Sequence, residues 1–492
     1  MDAARDPNGD FSAVRELIRA RLVEQVIPSL AVAVARNGTI LWEEGFGWAD
    51  REHRVPATEH TMYSLASISK PITATGLMVL KELGKLDLDR PINDYLGAAK
   101  LNARVPPGCG DAADATVRRV ANHTSGLPLH WHFFYEDETC QRPPMDETIR
   151  RYGNLVTPPG EKHQYSNLGY GILDYAISRL SGKSYPDFMR HEVFLPLGMT
   201  RASVDIGPGL EPHAAARYGS DGWRIPFYDF DHPGGSAVFC SAHDLVRFGM
   251  FHLKNHLPDQ KAILSDEALE EMQVPTASTG KTSGYGIGWS VNEDKLGYHG
   301  IGHGGGMGGV CTALEIIPSE ELVVVALANS STDLPWVVAE EIFSLLLPGY
   351  AEKRAGQQAK EKAEKEEKER APSAEPGFTP PAELIGEWRG AVHTYQGEVP
   401  LMLDFKESGD VHAQMGTQLK TLVNDVELKD GQLTGKMMGD IGTEDANRRP
   451  YQLHADLKLR GDVLNGGLIA ITHHPSRSGH ALSHWVEVKK QG

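Results

Sequence analysis

The sequence predicts an α+β fold followed by a small antiparallel β-barrel. Three observations carry this expectation. Strand-like runs stand near both ends of the first 350 residues, with helical runs between them. A charged stretch then interrupts the chain, and the remainder alternates with period two.

Taken in order, LAVAVAR (30–36) and ILWEE (40–44) read as strands joined at Asn37-Gly38, a dipeptide suited to a tight hairpin. Residues 67–83 and 168–180 carry apolar residues at helical spacing. Residues 310–317 and 321–329 read as strands, and 336–347 as a last helix. A sheet built by both chain ends around separate helices is the simplest arrangement of these elements. The run EKRAGQQAKEKAEKEEKERA (352–371) cannot bury a face, so it reads as a solvated helix that stops at Pro372. Beyond it, Val399, Leu401, Leu403 and Phe405 share one parity, as do Tyr451, Leu453, Ala455, Leu457 and Leu459. Short half-buried strands of this kind close most easily into a barrel, because closure removes exposed edges. The expected organisation is a large unit at 10–350, a linker at 351–377 and a barrel at 378–490.

Composition narrows the function. Of 492 residues, 40% are hydrophobic and 23% charged, which suits a folded chain with a sizeable core. With 49 Lys and Arg against 66 Asp and Glu, the net charge of -17 disfavours nucleic acid and anionic membrane surfaces as partners. Cys109, Cys140, Cys240 and Cys311 are too few and scattered for a disulfide framework or a thiolate metal site. No apolar run approaches the ~18 residues of a membrane span. The start, MDAARDPNGDF, lacks an export signal, so a cytoplasmic protein is expected, or a periplasmic or secreted one had a signal been removed. No cofactor and no metal are expected.

Three candidate motifs carry chemistry. In Ser67-Ile68-Ser69-Lys70, positions i and i+3 share a helix face, so hydroxyl and amine can meet. A lysine with a lowered pKa can then activate the serine. A second Ser-x-x-Lys, Ser278 to Lys281, lies in a polar loop and is set aside. In Tyr165-Ser166-Asn167, after the turn at 158–160, a tyrosine near cations would lose its proton more easily, and the Asn167 amide can orient both lysine and substrate. Tyr152-Gly153-Asn154 is background. The third motif is GIGHGGGMGGV (300–310), in which His303 precedes glycines that let a backbone edge offer N–H groups to an oxyanion. Its Gly-x-Gly-x-x-Gly (304–309) is followed by a strand, which excludes a dinucleotide site. His130-x-His132 lacks a third ligand and reads as a loop beside a pocket; His473 and His474 read as solvent-facing.

In this order the motifs resemble those of the serine β-lactamase and penicillin-binding-protein superfamily. The branch in question holds class C β-lactamases, D,D-carboxypeptidases, D-aminopeptidases and β-lactamase-like carboxylesterases. The flanking runs ANHTSGLP (121–128), PGGSAVFCSAHDLVRF (233–248) and YGIGW (285–289) are similar too. The resemblance covers about residues 15–348. It implies a β-lactamase/transpeptidase-like fold, an antiparallel sheet flanked by helices with an all-helical subdomain. It implies Ser67 as nucleophile, with Lys70 and Tyr165 moving its proton. Asn167, His303, Gly305 and Gly306 are then substrate-binding residues. The N–H groups of Ser67 and Gly306 are the implied oxyanion hole, and His303 an implied donor near Tyr165 or a substrate carboxylate. The barrel resembles the lipocalin-like modules of some D-aminopeptidases, which can reach the pocket or build an oligomer, so a homo-oligomer is a further expectation.

His303 stands where true class C β-lactamases carry a lysine, so a permanent cation is missing. The expected function is therefore a serine hydrolase cleaving small esters, amides or short peptides, of carboxylesterase or D-amino-acid peptidase type. β-Lactamase or D,D-carboxypeptidase, acyltransferase, and a non-catalytic penicillin-binding-like scaffold are the alternatives.

Overall fold

The computed structural model describes residues 10–104, 110–370, 377–472, 474 and 477–492. Cys109, Pro372 and His473 lie outside them. The large unit is built on a nine-stranded antiparallel sheet. Its centre runs Ser290–Lys295, Tyr298–Met307, Val310–Ile317, Leu322–Ala328, Ser29–Arg36, Thr39–Asp50. Leu30 pairs with Ala328 and Arg36 with Leu322, so the two ends of the unit meet in one sheet.

The LAVAVAR run is buried along its length because both faces are covered. Leu30, Val32 and Val34 pack with Val14, Ile18, Val338 and Phe343 on one face. Ala31, Ala33 and Ala35 join the main core on the other. Small residues suit that second face, where the helix Ala242–His252 lies close: a side chain at Gly249 would meet Val323 Cγ1 at 2.4 Å. Asn37 and Gly38 both have positive φ, 51° and 71°, as a primed hairpin turn requires.

Three helical expectations shift at their ends. The serine helix is Ser69–Glu82, preceded by a 3₁₀ turn at Ala66–Ile68, so Ser67 sits on the turn and not on the helix. The Tyr-Ser-Asn helix is Asn167–Ser181. The last helix of the unit is Leu334–Leu346. The charged run forms a helix from Tyr350 to Arg370.

The C-terminal strands make a nearly closed antiparallel barrel of nine strands, from Gly386–Thr394 to His480–Lys490. Its two edges, Thr421–Leu422 and Asn424–Lys429, are consecutive in the chain, and Val423 N–H donates to Val411 C=O at 2.7 Å. Leu401, Leu403, Phe405, Leu433, Leu457 and Val486 fill the interior and leave a cavity of 20 Å³, room for about one water.

The barrel is fastened to the large unit by a shared strand. Trp131–Tyr135 pairs with the barrel strand His480–Lys490 (His132 opposite His480) and with Tyr228–Phe230. Trp131, His132 and Phe133 thus lie on a paired strand and not in a loop, while His130 just precedes it. Around this joint Glu138 bonds to Arg448 at 2.6 Å and to Arg449, Glu161 to Arg460 at 2.7 Å, and Asp456 to Lys162 at 3.0 Å.

Candidate active site

Ser67 follows Ala66, whose φ of 47° is rare for a residue with a side chain. That conformation turns the chain sharply between Leu65 and the serine helix. The turn is held from behind: Leu65 N–H donates to Val238 C=O at 2.8 Å, and Thr312 Oγ1 donates to Leu65 C=O at 2.9 Å. The glycine strand passes so close that a side chain at Gly305 would lie 2.0 Å from Leu65 C=O. Gly305 therefore acts by letting the strand approach, whereas Gly306 lines the cavity and a Cβ there would meet nothing.

Lys70 is fully buried. Its Nζ lies 3.0 Å from Ser67 Oγ, 2.7 Å from Asn167 Oδ1 and 3.0 Å from Gly235 C=O. It also stands 4.7 Å from the centroid of the Tyr165 ring. No carboxylate pairs with it among the described residues, and burial pushes its pKa well below that of an ordinary lysine. Gly235 C=O reaches this point because the Pro-Gly-Gly turn presses on the Asn167–Ser181 helix: a side chain at Gly234 would meet Tyr170 C=O at 2.6 Å.

Tyr165 ends the segment leading into that helix. Ser166 caps it, its Oγ accepting from Gly169 N–H at 3.3 Å. Ser166 N–H donates to His123 Nδ1 at 3.2 Å, and the His123 ring lies 4.4 Å from that of Tyr165. His123 comes from the ANHTSGLP run and has a positive φ of 64°. Sequence reading noted that run without seeing that its histidine holds the tyrosine. The expectation of an acidified phenol is reversed: burial pushes the Tyr165 pKa above its ordinary value, with the Ser67 hydroxyl beside it pulling the other way.

His303 is also placed otherwise than expected. Its Nδ1–H donates to Gly304 C=O at 2.7 Å, which leaves Nε2 to accept from the Tyr285 hydroxyl at 2.8 Å. Both nitrogens are engaged away from the serine, and burial lowers its pKa to about 3. Tyr285 lies in YGIGW, at the end of a strand separated from that of His303 by the strand Ser290–Lys295, and its hydroxyl reaches across to the ring.

Ser67, Tyr165, Asn167 and Gly306 line one cavity of 630 Å³. Trp131, Phe133, His232 and Ser236 continue its wall, and Thr472, His474, Ser478 and Gly479 come from the barrel. The His473–His474 segment was expected to face solvent; His474, though exposed, stands on the cavity rim. Ser478 Oγ accepts from Gly308 N–H at 3.1 Å, which ties the barrel loop to the glycine strand. The His130-x-His132 pair binds no common partner. His130 Nε2 bonds to Asp231 at 2.6 Å and His132 Nε2 to Arg448 at 2.7 Å. Among the described residues no group of three or more His, Cys, Asp or Glu side chains is arranged to hold a metal ion, and no helix is long and apolar enough to cross a membrane.

A buried amine against a serine hydroxyl, with a phenol and an amide at the same opening, can form and resolve an acyl-serine. Comparison with known proteins bears on this arrangement. The family model described as Beta-lactamase matches residues 14–342. The chain is 28% identical to "Penicillin-binding protein 4" of Amycolatopsis lactamdurans over 400 residues, 77% of this chain and 97% of the relative. It is similar in fold to the octameric penicillin-binding protein homologue from Pyrococcus abyssi, with a TM-score of 0.59, 20% identity, and coverage of 98% of this chain and 100% of that one. It is also similar to EstCE1, a hydrolase with promiscuous acyltransferase activity, with a TM-score of 0.55, 20% identity, and coverage of 69% and 96%.

Proposed function

The chain belongs to the β-lactamase family of serine hydrolases, and from that premise we propose that it cleaves small, uncharged esters or amides through an acyl-enzyme on Ser67. The observation that carries this reading is the Lys70 amine, fully buried, 3.0 Å from the Ser67 hydroxyl and without a carboxylate partner. Burial without a counter-charge favours the neutral amine, the form in which Lys70 serves as the base. Tyr165, pushed the other way, keeps its proton and becomes the acid. Two groups with opposite shifts at one opening define the roles.

Lys70 takes the proton of Ser67 as Oγ bonds to the acyl carbon. Negative charge on the carbonyl oxygen is met by the N–H groups of Ser67 and Gly306. Tyr165 gives its proton to the leaving oxygen or nitrogen and recovers one from Lys70. Asn167 steadies Lys70 through Oδ1 and turns its amide N–H₂ toward the substrate.

The cavity supports the choice of substrate. The described residues that line it include no Lys, Arg, Asp or Glu. Trp131, Phe133 and Met307 make much of the wall. With His303 neutral and turned to Tyr285, nothing there replaces the lysine that would hold a β-lactam carboxylate. Carboxylesterase and D-amino-acid amidase chemistry both fit such a wall. Acyl transfer to an alcohol would use the same acyl-enzyme.

The test is a panel of p-nitrophenyl esters, D-amino-acid anilides and a chromogenic cephalosporin, read with Ser67→Ala alongside. Esters or anilides are expected to turn over, with a loss of about 10⁴-fold or more in the variant. Cephalosporin turnover with nothing on the other substrates would overturn the substrate class. Unchanged turnover in Ser67→Ala would overturn the nucleophile.

A further inference from the structure

One part of the cavity wall has no task in the scheme above. His232 lines the cavity, yet its side chain is only 1% exposed. Its Nδ1 lies 2.6 Å from Asp231 Oδ1. The other carboxylate oxygen, Oδ2, lies 2.6 Å from His130 Nε2. Asp231 is itself 2% exposed.

The protons in this group are dictated by its partners. A carboxylate only accepts, so each histidine turns an N–H toward it. His130 Nδ1 is sealed in the interior without a partner. His232 has Nε2 unprotonated. Among the described residues nothing hydrogen-bonds to Nε2, and unlike His130 Nδ1 it is not sealed from the cavity. Although burial opposes it, the two histidines hold the Asp231 carboxyl well below the usual range, so it stays ionised. Burial lowers the His232 pKa against the pull of Asp231, so the ring rests neutral. The unit is a proton acceptor at the cavity wall, backed by a buried anion.

The ring is close to the serine machinery. Its Cδ2 would lie 3.2 Å from a Cβ on Gly235, the residue whose carbonyl holds Lys70. Clearing the acyl group needs a base for water. The Tyr165 phenol keeps its proton, and Lys70, fully buried and bonded to Ser67, Asn167 and Gly235, is not part of the cavity lining.

We propose that His232, oriented by Asp231 and His130, takes the proton of the water that clears the Ser67 acyl-enzyme. The inference rests on the acyl-enzyme reading above. One O–H bond of water breaks, its oxygen bonds to the acyl carbon and its proton goes to Nε2. As the C–Oγ bond breaks, that proton returns through cavity water to Oγ, which restores the serine while the acid departs. His232 is then a catalytic residue, and Asp231 and His130 are positioning residues that hold the ring and its tautomer.

The experiment follows p-nitrophenyl acetate by stopped flow and intact-protein mass spectrometry in the wild type, His232→Gln and Asp231→Asn. Asparagine at 231 keeps the shape but removes the buried anion, and with one acceptor and one donor it can no longer accept from both rings. Both variants are expected to release nitrophenol in a burst of one per chain and to accumulate the acetylated protein. Steady-state turnover falls about 10²-fold or more, and hydroxylamine, a stronger nucleophile than water, restores it. Burst and steady state falling together in both variants, or neither changing, would overturn the role of His232. Absence of any acyl adduct on Ser67 in the wild type would overturn the acyl-enzyme itself and this proposal with it.

Discussion

Around Lys70 one buried amine has three oxygen partners and no carboxylate. Along the joint with the barrel, Glu138 instead meets two guanidiniums, those of Arg448 and Arg449. Charged residues serve both places, with opposite results. Opposite charges paired on the seam fasten two parts of the chain. The amine, which no carboxylate faces among the described residues, has its pKa pushed down by burial, and this favours the neutral form that the proposed base requires. Burial by itself does not make a reactive group. Burial without a counter-charge does.

Lys70→Met is the most damaging way to probe this difference. It removes the base but also an amine that must shed its proton to be buried. Turnover is expected to fall by about 10³-fold or more, with a melting temperature equal to or above that of the wild type. Loss of folding in parallel with activity would place Lys70 among the structural charges. The same contrast has a pH signature. The folded pKa of Lys70 lies below the unfolded value, so the folded chain binds fewer protons. Stability therefore rises with pH between the two values, and kcat/KM falls toward acid as Lys70 takes up its proton. A flat acid side in the kcat/KM profile would contradict it.

Tyr165→Phe sharpens the division of labour at the amine's side of the comparison. A p-nitrophenolate leaves without help, while an anilide needs a proton. The variant is expected to lose about 10²-fold on anilides and less than about tenfold on p-nitrophenyl esters. Equal losses on both would assign Tyr165 a role other than acid.

Glu138→Gln tests the balanced side and has the smallest effect on chemistry. It leaves Arg448 and Arg449 without their carboxylate, costing about 1–3 kcal/mol of stability. Turnover stays within about threefold of wild type, because the strand pairing of His132 with His480 still holds the barrel loop at the rim. Thermal unfolding and steady-state kinetics check both halves. A large loss of activity with unchanged stability would mean that the seam tunes the cavity directly.

Much of the site was legible because its signals are local. The three-residue spacing of Ser67 and Lys70, the Tyr165–Asn167 run at a helix entry and the glycines after His303 are all written in short stretches. The hairpin at Asn37-Gly38 and the buried strand 30–36 were equally plain. The histidines were harder. His303 was expected to face substrate, but its ring is bonded to the Tyr285 hydroxyl and the Gly304 carbonyl instead. His130 and His132 looked like loop residues, yet each is buried against a different partner. Asp231 and His232 raised no signal, since their partner His130 lies 101 positions upstream of Asp231.

By itself the sequence determined the elements and the reactive types, because helical and strand periodicities and turn chemistry act over a few residues. Tertiary structure alone decided which groups keep their protons. That choice depends on how much water packing removes and which charges it leaves nearby, and both are set by residues far apart in the chain. It also decided that a loop from the last hundred residues would close the wall around a serine at position 67.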